Sequence, residues 1–325
     1  MDVLDRYADQ EKLGLIKRQN SPFPHLILDH AIPGDVLEQI NQNWPGPEVF
    51  NPEVPGNYVF QFMSKNRSML SESQQAFWQE FYDQHFRPMI DLCFRKFSPV
   101  LNHRYGEIER LLFGHDCLVL MQAEPGQNFH AMHTHYYHDP TFVFTMLLYV
   151  DTEFHGLMGT HLYGPGPEIY ADPDYLVDVA RSPLGDKNWD HWEGKATSFI
   201  PNRLLAFIDG PLSFHAVKKL PAAMDPGLTV GRRIVRAHIA FPKSPFIEAR
   251  YGVSWEEFRE TVWETRKGDV PPQVYDWIKR DIDEHFHPDV AEKVMREGKM
   301  QTSDVRLPEL YEDPQLYKAD GDNGA

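Results

Sequence analysis

The side chains of this chain with the clearest chemical potential are three histidines. His133 and His135 flank Thr134, and His215 follows some eighty residues later. The pair lies in residues 121–163, MQAEPGQNFHAMHTHYYHDPTFVFTMLLYVDTEFHGLMGTHLY, whose flanks read as β-strand. Alternate residues of a strand share a face, so His133 and His135 are expected to point the same way. Neutral imidazole suits iron, zinc, copper and nickel. Two imidazoles on one strand face, with a third on a later strand, are the parts of a mononuclear metal site. With 16 histidines in the chain, chance pairs are also expected. His285 and His287 are one, because they fall in or beside a predicted helix, where i and i+2 face apart. His130 and His138 read as polar loop residues beside the pair, and Asp139 as a carboxylate within reach of it.

The elements that must position these histidines begin with a mixed amino-terminal region. Residues 1–17 read as a short helix and Pro22–Asp29 as a strand. Pro33 stands at a first helical position before an amphipathic segment ending near Trp44. Residues 45–66, rich in Pro, Asn and Gly, read as loop. Phe77, Phe81, Phe86, Ile90 and Phe94 recur at helical spacing, so 71–98 reads as one or two helices, kinked or split at Pro88. From about Leu111 the pattern changes to short strands: Cys117–Ala123, Phe129–His135, Phe142–Val150, Gly159–Tyr163, Ala196–Ile200, Leu204–Ile208, Ser213–Val217 and Arg232–Phe241. So many short strands point to a sandwich or barrel. After Pro245 helices return, with Ser254 and Glu257 spaced as a capping box. The tail after Tyr311 is acidic and polar, and reads as disordered. Three regions result: 1–110 as support, 111–245 as core, and 246–325 as helical extension and tail. The core carries a long insert, 164–194, with Tyr170, Tyr175, Trp189 and Trp192, which is expected to cover the mouth of the site.

Composition narrows the setting. The 325 residues are 42% hydrophobic, enough for a sizeable core. A formal net charge of −16 argues against a nucleic-acid surface, which needs clustered Lys and Arg. Cys93 and Cys117 are the only cysteines. They make neither a disulfide framework nor a Cys-x-x-Cys metal site, and fit a reducing compartment. The first residues, MDVLDRYADQEKLG, lack the apolar stretch of a signal peptide. No run approaches the roughly 18 apolar residues of a membrane span. The expectation is a cytoplasmic protein that binds neither nucleic acid nor membrane; its oligomeric state is not legible.

An ordered set of segments adds a resemblance. Gly126-Gln-Asn-Phe129 leads into His133-Thr-His135. Thr145-Met-Leu-Leu-Tyr149 and Gly159-Thr-His-Leu-Tyr163 follow. Then come Pro201-Asn202, Phe207, Ser213-Phe-His215 and the arginine-bearing Arg232–Phe241. Over roughly 111–242 this resembles the Fe(II)/2-oxoglutarate-dependent oxygenases of the prolyl-hydroxylase-like group. The resemblance implies a mainly β fold with flanking helices, built on a double-stranded β-helix (a jelly-roll, cupin-like core). It implies Fe(II) held by His133, His135 and His215, with 2-oxoglutarate and O2 as co-substrates. It implies hydroxylation of a C–H bond, coupled to decarboxylation of 2-oxoglutarate to succinate and CO2. The substrate would be a small molecule or biosynthetic intermediate, though amino acids, glycans and protein side chains stay open. An arginine of the last core strand would hold the far carboxylate of 2-oxoglutarate. Alternation puts Arg232, Ile234, Arg236 and His238 on one face of that strand, so Arg232 and Arg236 are both candidates.

The chain departs from the group's His-x-Asp pattern by placing His135 where the aspartate is expected. An all-imidazole set leaves the site one unit more positive. Two rival readings follow: a three-histidine iron oxygenase that does not use 2-oxoglutarate, like the cupin thiol dioxygenases in ligand set, and a non-catalytic protein on a degenerate oxygenase scaffold. A halogenase fits less well, because His135 would fill the space that a halide needs.

Overall fold

The computed structural model describes residues 7, 9–10, 12–54, 57–63, 65–106, 110–113, 117–123, 130–136, 140–151, 159–165, 192–217, 232–241, 243–265, 272–297 and 309–312. Strands β1 (Ile16–Gln19) and β2 (His25–Asp29) precede helix α1 (Gly34–Gln42). β3 (Asn51–Val54) and β4 (Asn57–Gln61) form an antiparallel pair ahead of α2 (Glu72–Phe81) and α3 (Arg87–Tyr105). β5 (Arg110–Phe113) follows, then eight strands: β6 (Val119–Ala123), β7 (His130–His133), β8 (Phe142–Tyr149), β9 (His161–Pro165), β10 (Trp192–Ala196), β11 (Arg203–Ile208), β12 (Phe214–Val217) and β13 (Arg232–Ala240). Helices α4 (Lys243–Tyr251), α5 (Trp255–Thr265), α6 (Pro272–Asp281) and α7 (Pro288–Glu297) and strand β14 (Glu309–Glu312) complete the chain.

The eight strands divide between two antiparallel sheets. The larger is ordered β1-β2-β11-β8-β13-β6-β4-β3, and the smaller β10-β9-β12-β7. Followed along the chain, β6, β8, β11 and β13 lie in the larger sheet and β7, β9, β10 and β12 in the smaller. This interleaving is a double-stranded β-helix, with β6, β13, β8 and β11 on one wall and β7, β12, β9 and β10 on the other.

Strand alternation explains the layers. In β8, Phe144, Met146 and Leu148 face outward and pack with Trp78, Phe81, Phe86, Ile90 and Phe97 of the helical layer. Leu147 and Tyr149 face inward and meet Leu162, Phe199, Leu205, Phe207 and Ile234 between the sheets. β12 divides likewise: Phe214 and Ala216 join Tyr251, Phe258, Trp277 and Ile282 of the carboxy-terminal helices, which leaves His215 for the interior.

Several expectations are corrected. Residues 45–66 are not simply loop, because β3 and β4 extend the larger sheet. Pro, Asn and Gly are tolerated there because the pair lies at the sheet's edge. Residues 1–17 end in strand, with Ile16 already in β1. The strand expected over Phe129–His135 stops at His133. The strand expected at Ala196–Ile200 comes earlier, at Trp192–Ala196. Pro88 lies in the first turn of α3, after a wide turn over Tyr82–Phe86, whereas Pro99 sits inside that helix. Glu312 still belongs to β14, which pairs in parallel with β5, and the rest of the tail after Tyr311 lies outside the described residues. The insert's residues 166–191 lie outside the described residues. No helix among the described residues is long and apolar enough to cross a membrane.

One buried group makes the fold pH-sensitive. His25, opposite Phe207 across β2 and β11, is fully buried and donates Nδ1–H to the Phe23 carbonyl at 2.9 Å. Burial lowers its pKa from 6.5 to about 4, and Lys195 adds to this. Between those values the unfolded chain takes up a proton that the folded chain does not, so stability falls as pH drops through that window. The loss amounts to about 2 kcal/mol by pH 5. Urea unfolding at pH 7 and pH 5 is expected to show this slope in the wild type and a shallower one in His25→Gln. Equal slopes would show that His25 is not its source.

Candidate metal centre

His133 and His215 are cross-strand partners on β7 and β12, so their side chains leave the smaller sheet on the same face. Their rings stand 4.2 Å apart, centre to centre. His135 arrives differently. It lies in the bend beyond β7 rather than on the strand, and its ring is 5.3 Å from His133 and 4.6 Å from His215. Thr134 sets this bend by donating its hydroxyl to the Gly210 carbonyl at 2.7 Å. Gly210 must be glycine, because a Cβ there would lie 2.1 Å from the Phe286 ring.

One ligand nitrogen from each of His133, His135 and His215 lies within 4.8 Å of the others. Three such points share a centre no more than about 2.8 Å away (4.8 Å divided by √3), against about 2.0–2.1 Å for a metal–nitrogen bond. A small inward movement therefore closes the set on a cation. Hydrogen bonds select the ligand atoms. His215 Nδ1 faces the Ser213 carbonyl at 3.2 Å, and His135 Nδ1 faces Asp209 Oδ1 at 2.8 Å. Both partners accept, so each Nδ1 carries the proton and each lone pair lies on Nε2. The donor set thus fits a transition-metal dication.

Behind the imidazoles stands a group that sequence reasoning missed. Asp209, 1% exposed, follows β11 directly. Its Oδ2 accepts from the Thr145 hydroxyl at 2.7 Å. With that hydroxyl proton committed, Thr145 Oγ1 accepts from His238 Nδ1 at 2.8 Å. The His238 ring lies 4.4 Å from that of His135 and stacks on Phe142 at 4.9 Å. Thr145 and His238 are cross-strand partners on β8 and β13, a pairing visible only once the register is known. No local spacing marks Asp209. Its link to His135 spans 74 residues.

The inner face of β13 forms one wall of the cavity. Arg232, Ile234, Arg236 and His238 all line it, with His133, His135, His215, Thr145, Leu147 and Thr160. The two arginines differ. Arg236 Nη1 pairs with Glu53 Oε1 at 3.0 Å. Arg232 is 7% exposed and makes no ion pair among the described residues. Its Nη2 donates to Thr160 Oγ1 at 3.0 Å, and its Nε is buried with no hydrogen-bond partner among the described residues. Burial lowers its pKa, because a desolvated cation is disfavoured, and the nearby Tyr149 hydroxyl works against that shift. An anionic ligand would relieve the same cost.

His285 and His287 stay apart from this centre, with His285 beside Glu284 and His103. His138 and Asp139 lie outside the described residues, and of His130 only the backbone is described.

No protein-family model matches the chain, and no curated protein matches it. Solved structures do. A Pseudomonas putida prolyl-4-hydroxylase is 11% identical with a TM-score of 0.39, over 72% of this chain and 98% of that one. A prolyl hydroxylase from Trichoplax adhaerens, in complex with a hypoxia-inducible-factor peptide, is 13% identical with a TM-score of 0.43, over 72% and 89%. HygX from Streptomyces hygroscopicus, with nickel, 2-oxoglutarate and hygromycin B bound, is 10% identical with a TM-score of 0.36, over 71% and 86%. The double-stranded β-helix assignment rests on the strand order.

Proposed function

We propose that this chain is a non-haem Fe(II)-dependent oxygenase that uses 2-oxoglutarate and O2 and hydroxylates a C–H bond of a small molecule or biosynthetic intermediate. The observation that carries this reading is one cavity holding three convergent imidazoles and, on its wall, a buried guanidinium without a carboxylate partner among the described residues. His133, His135 and His215 would hold the iron, the last two through Nε2. Iron bound there supplies the activation of O2, which the side chains themselves cannot provide.

The chain's own residues then have definite tasks. Arg232 would bind the far carboxylate of 2-oxoglutarate with paired N–H donors, its geometry suited to a planar anion. Thr160, already bonded to Arg232, fixes that side chain. Leu147 and Ile234 supply apolar wall and exclude water beside the reacting centre. Arg236, held by Glu53, is the less suited of the two candidate arginines because its charge is already met.

The test is anaerobic reconstitution with Fe(II), metal analysis, and then measurement of succinate formed from 2-oxoglutarate under air. Iron uptake with succinate formation is the expected result. The all-imidazole ligand set favours one alternative, a three-histidine oxygenase without 2-oxoglutarate; iron uptake with no succinate would select it. No iron uptake would leave a non-catalytic scaffold.

A further inference from the structure

The three ligands proposed above are all neutral, and no carboxylate is among the described residues that line the cavity. Non-haem iron sites commonly include one carboxylate ligand. Among the described residues an anion stands one hydrogen bond behind the three imidazoles, where Asp209 Oδ1 meets His135 Nδ1 at 2.8 Å. We propose that Asp209 is a positioning residue that supplies the missing negative charge through His135, so that the imidazole and the carboxylate behind it work as one anionic ligand. The inference rests on the three-histidine metal reading.

Three features separate this arrangement from a surface ion pair. First, Asp209 is almost fully buried, so water does not screen its charge. Second, both carboxylate oxygens are held, Oδ1 by the half-buried His135 and Oδ2 by the buried Thr145. Thr145 is held in turn by His238, so the carboxylate has a single orientation. Third, the backbone is anchored on the side away from the cavity. The Asp209 N–H donates to the Val143 carbonyl at 3.0 Å, and the Asp209 carbonyl accepts from Arg104 Nη1 at 3.5 Å. Arg104 is fixed by the His285 carbonyl at 3.2 Å and lies 3.9 Å over the Phe286 ring. A carboxylate that accepts the Nδ1 proton of a ligating imidazole fixes its ring and raises its basicity at Nε2.

The test is anaerobic Co(II) titration of the full chain, followed by visible absorption, for wild type, Asp209→Asn, His135→Ala and the double variant. Asp209→Asn keeps the shape and removes the charge. It is expected to weaken Co(II) binding about 10- to 100-fold, the usual cost of losing such a partner, and to shift the bound Co(II) spectrum. In the His135→Ala background, titrated to millimolar Co(II) so that the weakened site is still read, the same substitution should change affinity less than about threefold, because its route to the metal is gone. Equal affinity of wild type and Asp209→Asn overturns the proposal. So does an equal loss in both backgrounds, which would mean that Asp209 acts on the fold and not through His135. Melting of the metal-free proteins checks folding; Asp209→Ser, small enough for the same space, is read in the same way if the asparagine variant does not fold. A wild type that binds no Co(II) or Fe(II) instead removes the metal reading itself, a result distinct from failure at Asp209.

Discussion

Replacing His215 with alanine is expected to abolish measurable Fe(II) binding at micromolar metal, a loss beyond the roughly 10- to 100-fold cost of disturbing an outer partner. His215 is 7% exposed and opposite His133 on the neighbouring strand, so alanine there removes one corner of the proposed ligand set. Its removal leaves two imidazoles, and His133 and His135 alone cannot present a three-point face to the cation. Alanine at His133 should behave alike. Equilibrium dialysis against Fe(II) under nitrogen measures the effect. A His215→Ala protein that retains wild-type affinity would show that the converging imidazoles pack the interior and do not bind metal.

The second large effect is expected at Arg232. Arg232→Met keeps the length and apolar stem and removes the charge. Losing a charge-assisted pair of about 1.5–3 kcal/mol raises the apparent KM for 2-oxoglutarate more than tenfold. Arg236→Met should change it far less, because Glu53 already meets that guanidinium at 3.0 Å. The contrast between the two variants is the measurement. If Arg236→Met produces the larger rise, the roles are exchanged. If neither does, the cavity does not take 2-oxoglutarate in this orientation.

How far the sequence could lead depended on the range of the signal. The inward face of β13 was legible, since Arg232, Ile234, Arg236 and His238 follow a period of two over nine residues. His215 was legible as the interior residue of a short strand. His135 was expected to join His133 by alternation, yet β7 stops at His133 and a bend tied to Gly210 does the work instead. That tie is a hydrogen bond across 76 residues, and no local pattern encodes it. Asp209, Thr145 and His238 form their chain across 64 and 93 residues. Thr145 and His238 were each visible as strand residues, but their meeting depends on the register of β8 with β13. The β3–β4 segment reads as loop because composition at a sheet edge resembles that of a turn, and only its place beside β6 makes it strand.

Tyr136, next to His135, carries a further consequence. Its hydroxyl donates to Asp281 Oδ2 and lies 3.0 Å from the Tyr251 hydroxyl, while Arg250 Nη2 holds Asp281 Oδ1 at 2.6 Å. Asp281 is fully buried at the end of α6, so the bend that carries His135 and the carboxy-terminal helices share one network. Any coupling free energy carried by that network is reciprocal. A cation that fixes His135 should slow hydrogen–deuterium exchange of the α6 amides, although no residue of α6 is among the proposed ligands. Conversely, Asp281→Asn, which loosens that helix without entering the cavity, should weaken the cation's hold. The helices that seem only to brace the barrel would then share in the thermodynamics of its metal.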